Sequence, residues 1–187
     1  RHGVITYIDN TCMTPLYQKP LELGIDISMH TMSKYIGGHS DIIGGVLVSK
    51  NEELMRKIMS EMREWFGGVL RGLRTLDARL KRHQEIAMAI AEFLEKSDKV
   101  KRVNYTGLAS HPQADIIRRQ QQGHTSLMSV ELDASPDKAV EFIDNLKLFG
   151  KGCSWGGFES LALCPLYKAS QEELDFLGTD RGLIRLY

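Results

Sequence analysis

Lys34 stands in a run of side chains suited to covalent chemistry, with Thr31, Met32 and Ser33 before it and Tyr35-Ile36-Gly37-Gly38-His39-Ser40 after it. A lysine amine held in place can condense with a carbonyl and afterwards carry a proton. The hydroxyls of Thr31 and Ser33, on a tight Gly-containing turn, suit a phosphate dianion bound together with backbone N–H groups. Upstream, Asp9-Asn10-Thr11 closes an apolar run and sets a carboxylate at its end. Far downstream, Cys153-Ser154-Trp155-Gly156-Gly157-Phe158-Glu159-Ser160-Leu161 is followed by Gly182-Leu183-Ile184-Arg185-Leu186. A guanidinium such as that of Arg185 matches a carboxylate bidentately, as a lysine cannot. Taken singly, each feature also has an ordinary explanation. Lys34 is then a surface lysine, Asp9-Asn10-Thr11 a capping turn, Arg185 a snorkelling edge-strand residue and Trp155 a core aromatic.

The elements that must position these groups follow from hydrophobic periodicity. Val4 to Ile8 reads as a buried strand delivering Asp9, Asn10 and Thr11 at its C-terminal end, where open α/β sheets place their sites. Residues 15–23 allow a short helix ended by Gly24, and 25–29 a second strand leading to Lys34. Gly44 to Ser49 suggests a third. Asn51 is placed to cap a helix through Trp65, with Leu54, Ile58, Met62 and Trp65 as its core-facing stripe. A longer helix is expected over 75–96, with Leu76, Leu80, His83, Ala87, Ile90, Ala91 and Leu94 near one face. Short strands over 100–104, 126–132, 160–164 and 182–186 surround a helix over 136–146, for which Ser135 is the candidate N-cap and Pro136 a tolerated first residue. Such a pattern suggests a small α+β lobe.

Composition narrows the class. The 187 residues are 42% hydrophobic and 26% charged, and Lys+Arg and Asp+Glu both number 24, which is ordinary for a globular protein. No basic run is interleaved with aromatics, so a nucleic-acid partner is not expected. No apolar stretch approaches the about 18 residues of a membrane span. The three cysteines, Cys12, Cys153 and Cys164, show no CxxC spacing, which argues against a disulfide framework or a zinc site and for a reducing, cytoplasmic setting. They are expected to be small buried hydrophobes. His2, His30, His83 and His124 form no metal-ligand spacing, and His39 and Ser40 are expected to support the turn after Lys34. The chain opens Arg1-His2-Gly3 and ends on an apolar run at Tyr187, and it is expected to be a fragment of a longer polypeptide.

The segment from Asp26 to Ser40 resembles the lysine signature of the Cys/Met-metabolism family of pyridoxal-phosphate (PLP) enzymes, with Ser33 in place of the usual Thr and Met32 in place of a small residue. Tyr7-Ile8-Asp9-Asn10-Thr11 resembles the family's strand-end Asp-Asn-Thr, and the Ser154 to Leu161 turn with the Arg185 strand resembles its carboxylate-holding elements. The resemblance extends to Arg71-Gly72-Leu73-Arg74-Thr75-Leu76 but covers only the C-terminal half of a family member. It also breaks where Phe66-Gly67-Gly68-Val69-Leu70 runs almost directly into Arg71, as if residues were missing there.

The resemblance implies an aspartate-aminotransferase-like α/β fold. Residues 1–82 would be the second half of the PLP-binding large domain and 83–187 the small C-terminal α+β domain, truncated at its end. It implies PLP carried by Lys34, with Asp9 holding the proton on the pyridine nitrogen and Thr31 and Ser33 at the phosphate. Ser154, Trp155 and Arg185 would hold a small amino-acid substrate. Ser-Trp-Gly-Gly is similar to cystathionine β-lyases, where family members acting at the γ-carbon commonly have Ser-Leu-Gly-Gly. The leading expectation is therefore β-elimination from cystathionine or a related L-cysteine S-conjugate, in methionine biosynthesis, by a homotetramer built from dimers. The alternatives are a γ-lyase or γ-synthase on the same scaffold and, in another class, an inactive fragment acting as an assembly or binding module.

Overall fold

In the computed structural model, residues 3–61 and 69–187 are described. The chain divides into two compact units. The first comprises Arg1–Leu80, Asp115–His124 and Gly156–Phe158, and the second Lys81–Ala114, Thr125–Trp155 and Glu159–Tyr187.

The first unit is built on three strands, β1 (Tyr7–Asp9), β2 (Ile27–Thr31) and β3 (Gly45–Val48), in the order β1-β2-β3. β1 and β2 run parallel, with Asp9 beside Met29, and β2 and β3 run antiparallel, with His30 beside Val46. The three strands thus make one parallel and one antiparallel pair. Parallel neighbours need a crossover, and the short helix α1 (Thr14–Tyr17) with the turns behind it supplies one between β1 and β2. Between β2 and β3 the chain simply reverses, which fixes the opposite direction. The expectation of a buried first strand is corrected as well. β1 is an edge strand, and Val4, Ile5 and Tyr7 are exposed, because β2 covers β1 on one side only.

β2 runs directly into a five-residue π-turn, Met32–Ile36, closed by Gly37 N–H donating to the Met32 carbonyl at 2.8 Å. Helix α2 (Glu52–Glu61) follows β3, and its cap is the one expected: Asn51 Oδ1 accepts from Leu54 N–H at 3.0 Å. Leu54 and Ile58 are half-buried, while Met62 and Trp65 of the expected stripe, and the short junction at 66–68, lie outside the described residues. Helix α3 (Val69–Glu95) begins earlier than periodicity suggested and ends in the second unit.

The second unit holds β4 (Val100–Asn104), β5 (Met128–Leu132), α5 (Pro136–Asp144), β6 (Gly150–Lys151), β7 (Leu161–Leu163), α6 (Gln171–Leu177) and β8 (Ile184–Leu186), whereas helix α4 (Ala114–Gln120) belongs, apart from Ala114, to the first. The five strands are ordered β4-β5-β8-β7-β6. Ala87 and Ala91 of α3, Ala139 and Ile143 of α5, and Val130, Ala162, Ile184 and Leu186 of the strands form one buried cluster. This is the core that the alternating strands and the α3 stripe implied. Ser135 does stand at the N-cap of α5, but its side chain makes no capping bond. The cysteines depart from expectation: Cys12 and Cys153 are exposed and Cys164 is only partly buried.

Among the described residues of this unit, one charged side chain is buried. Glu131 of β5 is 2% exposed and accepts from Arg102 Nε at 3.0 Å, from Arg102 Nη2 and from Thr179 Oγ1 at 3.1 Å. Arg102 is its cross-strand partner in the β4–β5 ladder, so the pair joins the edge strand to the C-terminal end of α6. Because the guanidinium is about half exposed, solvent keeps this below the cost of breaking a fully buried pair. Glu131→Ala is expected to cost about 1–3 kcal/mol, read as a lower urea midpoint with an unchanged slope. An unchanged midpoint would mean that the cluster adds nothing.

Candidate active site

The sequence-predicted residues fall into two sets, one in each unit. Asp9, Thr31, Ser33 and Lys34 lie in the first; Ser154, Trp155 and Arg185 lie in the second.

The first set is assembled at the C-terminal end of the parallel pair. Asp9 is the last residue of β1, and its Oδ1 accepts from Thr11 N–H at 2.9 Å and from the Thr11 hydroxyl. Thr11 Oγ1 accepts in turn from Thr31 N–H at 2.8 Å. A relay of three side chains and backbone groups therefore couples the Asp9 carboxylate to the residue at which β2 enters the π-turn. Asn10, 3% exposed, holds the crossover by donating from Nδ2 to the Thr14 and Gln18 carbonyls, both at 3.1 Å. Asp9-Asn10-Thr11 is thus a capping turn and a carboxylate platform at once.

Lys34 is at the middle of the π-turn, where the backbone leaves helical values (φ −102°, ψ −129°). Such insertions are frequent at functional sites because they re-aim one side chain without unravelling the element. Ser33 and Lys34 are half-buried, between the buried Met32 and the buried Tyr35 and Ile36. His39 supports the turn as expected, with Nδ1 2.8 Å from the Gly37 carbonyl.

Two contributors escaped the sequence reading. Gly156, of the Ser-Trp-Gly-Gly run, adopts φ +88° and packs against the Lys34 backbone so closely that a Cβ there would lie 2.5 Å from the Lys34 carbonyl carbon. Gly156 therefore serves the lysine turn. The second is His30, 4% exposed on β2. Its Nδ1 is 2.8 Å from the Thr31 carbonyl, an acceptor only, so Nδ1 carries the proton and Nε2 presents a lone pair. Nε2 is buried and has no hydrogen-bond partner among the described residues. Burial holds the His30 pKa below the usual imidazole value, against the opposing pull of the Thr31 carbonyl and the Asp9 carboxylate. The signal available was a histidine directly before Thr31 at a strand end; its burial was not legible locally.

In the second unit, Arg185 of β8 donates from Nη2 to the Gly152 and Ser154 carbonyls at 3.1 and 3.2 Å, with Cζ 5.6 Å from the centroid of the Trp155 ring. The Arg185 Nε is buried and has no hydrogen-bond partner among the described residues. The three residues expected to bind substrate are therefore one cluster, in which backbone carbonyls and an indole face fix the fork and leave a donor over. Among the described residues, no group of His, Cys, Asp and Glu is arranged to hold a metal ion, and no helix is long and apolar enough to cross a membrane.

A strand-end carboxylate and a lysine on a kinked turn in the first unit, and an arginine fork in the second, are groups of a recognisable chemistry, and comparison with known proteins names it. The model of the Cys/Met metabolism PLP-dependent enzyme family matches residues 1–187, and the chain belongs to that family. It is similar to a cystathionine γ-lyase of Dictyostelium discoideum, 44% identical over 98% of this chain and 51% of the relative, and to a cystathionine β-lyase of Coxiella burnetii, 41% identical over 98% and 51%. Among solved structures it is similar to a cystathionine γ-synthase of Xanthomonas oryzae pv. oryzae in complex with aminoacrylate and cysteine, with TM-score 0.89 and 41% identity over 98% of this chain and 51% of that one. The fold is therefore the aspartate-aminotransferase-like α/β fold of PLP enzymes. The chain spans about half the length of the relatives it matches. The alignment to the Dictyostelium protein runs over 197 residues, more than the 187 of this chain, so the relative carries residues that this chain lacks.

The family's cofactor is PLP, and the donor set fits it. A carboxylate suits a protonated ring nitrogen, hydroxyls on a turn suit a phosphate, and the lysine amine suits an aldehyde. The unclaimed, buried His30 Nε2 marks the same strand end as built to receive a polar group.

Proposed function

We propose that the protein to which this chain belongs is a PLP-dependent carbon–sulfur β-lyase, which cleaves cystathionine or a related L-cysteine S-conjugate to a thiol, pyruvate and ammonia. The observation that carries this reading is the packing of Gly156, from the Ser154-Trp155-Gly156-Gly157 run, onto the backbone of Lys34. It sets a glycine of that run against the residue proposed for the chemistry. Residues 1–82 are the proposed cofactor-binding portion and 83–187 the proposed small domain.

Bound PLP supplies an electron sink for negative charge developing at the substrate Cα. Lys34 Nζ would hold the cofactor's aldehyde and, when free, would take the Cα proton. The Asp9 carboxylate, held by Thr11, keeps a proton on the pyridine nitrogen. Thr31 and Ser33 donate hydroxyl hydrogens to the phosphate. Arg185 holds the α-carboxylate with the N–H groups its backbone contacts leave over, and Ser154 and Trp155 orient that fork. The thiolate would leave from Cβ as the Cα proton is removed, and water would complete the release of pyruvate and ammonia.

Elimination at the β-carbon is favoured by Trp155 and by similarity to the Coxiella β-lyase. The greater identity to a γ-lyase supports a second reading, γ-elimination on the same scaffold. A homotetramer working in methionine biosynthesis follows by resemblance, and a cytoplasmic setting is supported by three free cysteines. The experiment uses the full-length protein with cystathionine. Borohydride reduction followed by peptide mapping is expected to label Lys34, with pyruvate as the keto acid formed. Label on another lysine would overturn the site, and 2-oxobutyrate in place of pyruvate would overturn the β-lyase assignment alone.

A further inference from the structure

We propose that Gly72 and Arg79 of α3 form a clamp that fixes the Lys34 turn, and that Arg79 is a positioning residue for the Lys34 amine; the proposal rests on Lys34 as the cofactor lysine.

A π-turn of five residues with non-helical backbone at its middle has little internal means of holding one geometry. Its closing bonds are Gly37 N–H to the Met32 carbonyl and Gly38 N–H to the Lys34 carbonyl, both 2.8 Å. Carbonyls at the end of any helical turn lack intrahelical partners, and here Ile36 and Gly37 carry them toward α3. Gly72 lets α3 come that close. A Cβ on Gly72 would collide with the carbonyl oxygens of Ile36 and Gly37 and would stand 2.8 Å from Gly37 Cα. All three are backbone atoms, with no flexible side chain to yield.

Arg79, seven residues along the same helix, finishes the contact. Its Nε donates to Thr75 Oγ1 at 3.0 Å and its Nη2 to the Gly72 carbonyl at 2.8 Å, which fixes the guanidinium plane on the helix. From there Nη2 also reaches the Ile36 carbonyl, at 3.4 Å. The guanidinium lies against Gly38, which adopts φ +71° and has no room for a Cβ beside Arg79 Cζ and Nη1. Gly38 thus answers both its own positive φ and a steric demand from α3. The planar, multi-donor fork is what the arrangement uses, so lysine is not an equivalent. All of these groups belong to the first unit, and none is expected to touch substrate.

A clamp behind the lysine sets how well its amine is pre-organised. Its removal should weaken cofactor attachment and slow proton transfer at Cα while substrate recognition persists. The test uses full-length protein carrying Arg79→Gln, Arg79→Lys or Gly72→Ala. It measures PLP affinity and the pH midpoint of the visible band of lysine-bound cofactor, kcat and KM, and thermal unfolding of the cofactor-free protein. For Arg79→Gln, loss of charge-assisted bonds is expected to weaken PLP affinity about 10- to 100-fold, with a displaced pH midpoint, a lower kcat and an unchanged KM. Arg79→Lys should recover little of this, and Gly72→Ala should be at least as severe. Should Gly72→Ala fail to fold, the two Arg79 variants decide. Wild-type PLP affinity and pH midpoint in Arg79→Gln, or full rescue by lysine, would overturn the clamp. Borohydride label on Lys34 in the wild type together with such a result would sink the clamp alone. Label on a different lysine would sink the reading on which it rests.

Discussion

Lys34→Ala in the full-length protein is expected to abolish both the visible band of lysine-bound PLP and measurable turnover. The substitution removes two functions at once. The amine is the proposed point of covalent attachment, and it is also the proposed base at Cα, a role worth roughly 10²–10⁴ in rate by itself. The fold should survive, because the bonds that close the π-turn run between backbone groups of Met32, Lys34, Gly37 and Gly38. Alanine keeps all of them, and Lys34 lies outside the buried core. The informative measurements are therefore turnover and absorbance beside the melting temperature of the cofactor-free protein. A small amine added to the variant should restore part of the rate, since it can supply the missing base. Turnover near the wild-type value would remove Lys34 from the chemistry, and collapse of the melting temperature would recast it as a structural residue.

Several elements of this fold were legible from local pattern because local physics determines them. The α3 stripe through Leu80, Ala87 and Ala91 follows from helical period, and all three are buried. The Asn51 cap follows from a side chain that reaches the nearest free N–H, and it is made. Helix α6 was just as legible and was passed over. Ser170 and Glu173 form a reciprocal capping box, and Gly178 ends the helix at φ +64°, the signature a sequence can carry for both ends. Ser135 shows the converse, since a suitable residue at the right position makes no side-chain bond.

What was not legible depends on partners remote in the chain. A run such as Val4 to Ile8 is apolar enough for a central strand, yet whether it is central depends on how many strands flank it. The π-turn is invisible to periodicity because its five residues, set directly after a strand, are too few to show a period. The reasons for Gly37 sit on Ile42 and Met32, for Gly38 on α3, and for Gly156 on the lysine turn. In each case the residue type was noticed and its cause lay elsewhere. The candidate site residues were noticed because their chemistry is conspicuous; the parts played by the glycines and His30 around them were not, because burial and close approach leave no mark on one residue's identity.

Asp9→Asn separates charge from geometry at the other end of the site. Asp9 Oδ1 accepts from Thr11 N–H and the Thr11 hydroxyl, and Thr11 Oγ1 accepts from Thr31 N–H. An asparagine carbonyl can take the same two bonds, so the relay from β1 to the lysine turn should persist and PLP should still bind. The negative charge that holds a proton on the pyridine nitrogen is lost. Removing one such electrostatic stabiliser is expected to lower kcat by roughly 10²–10³, with KM little changed. Asp9→Ala, which also releases Thr11, should weaken PLP binding in addition, so the two variants part on affinity while agreeing on rate. His30 supplies a readout independent of turnover. The Asp9 carboxylate pulls the His30 pKa up against burial, and with the charge gone burial acts unopposed by it. The imidazole should then titrate at lower pH in Asp9→Asn than in the wild type, followed by its ring-proton resonances. Near-wild-type turnover in Asp9→Asn would remove Asp9 from the mechanism. An unmoved His30 titration would show that its charge is not felt at this strand end, and loss of PLP from Asp9→Asn but not from Asp9→Ala would contradict the relay.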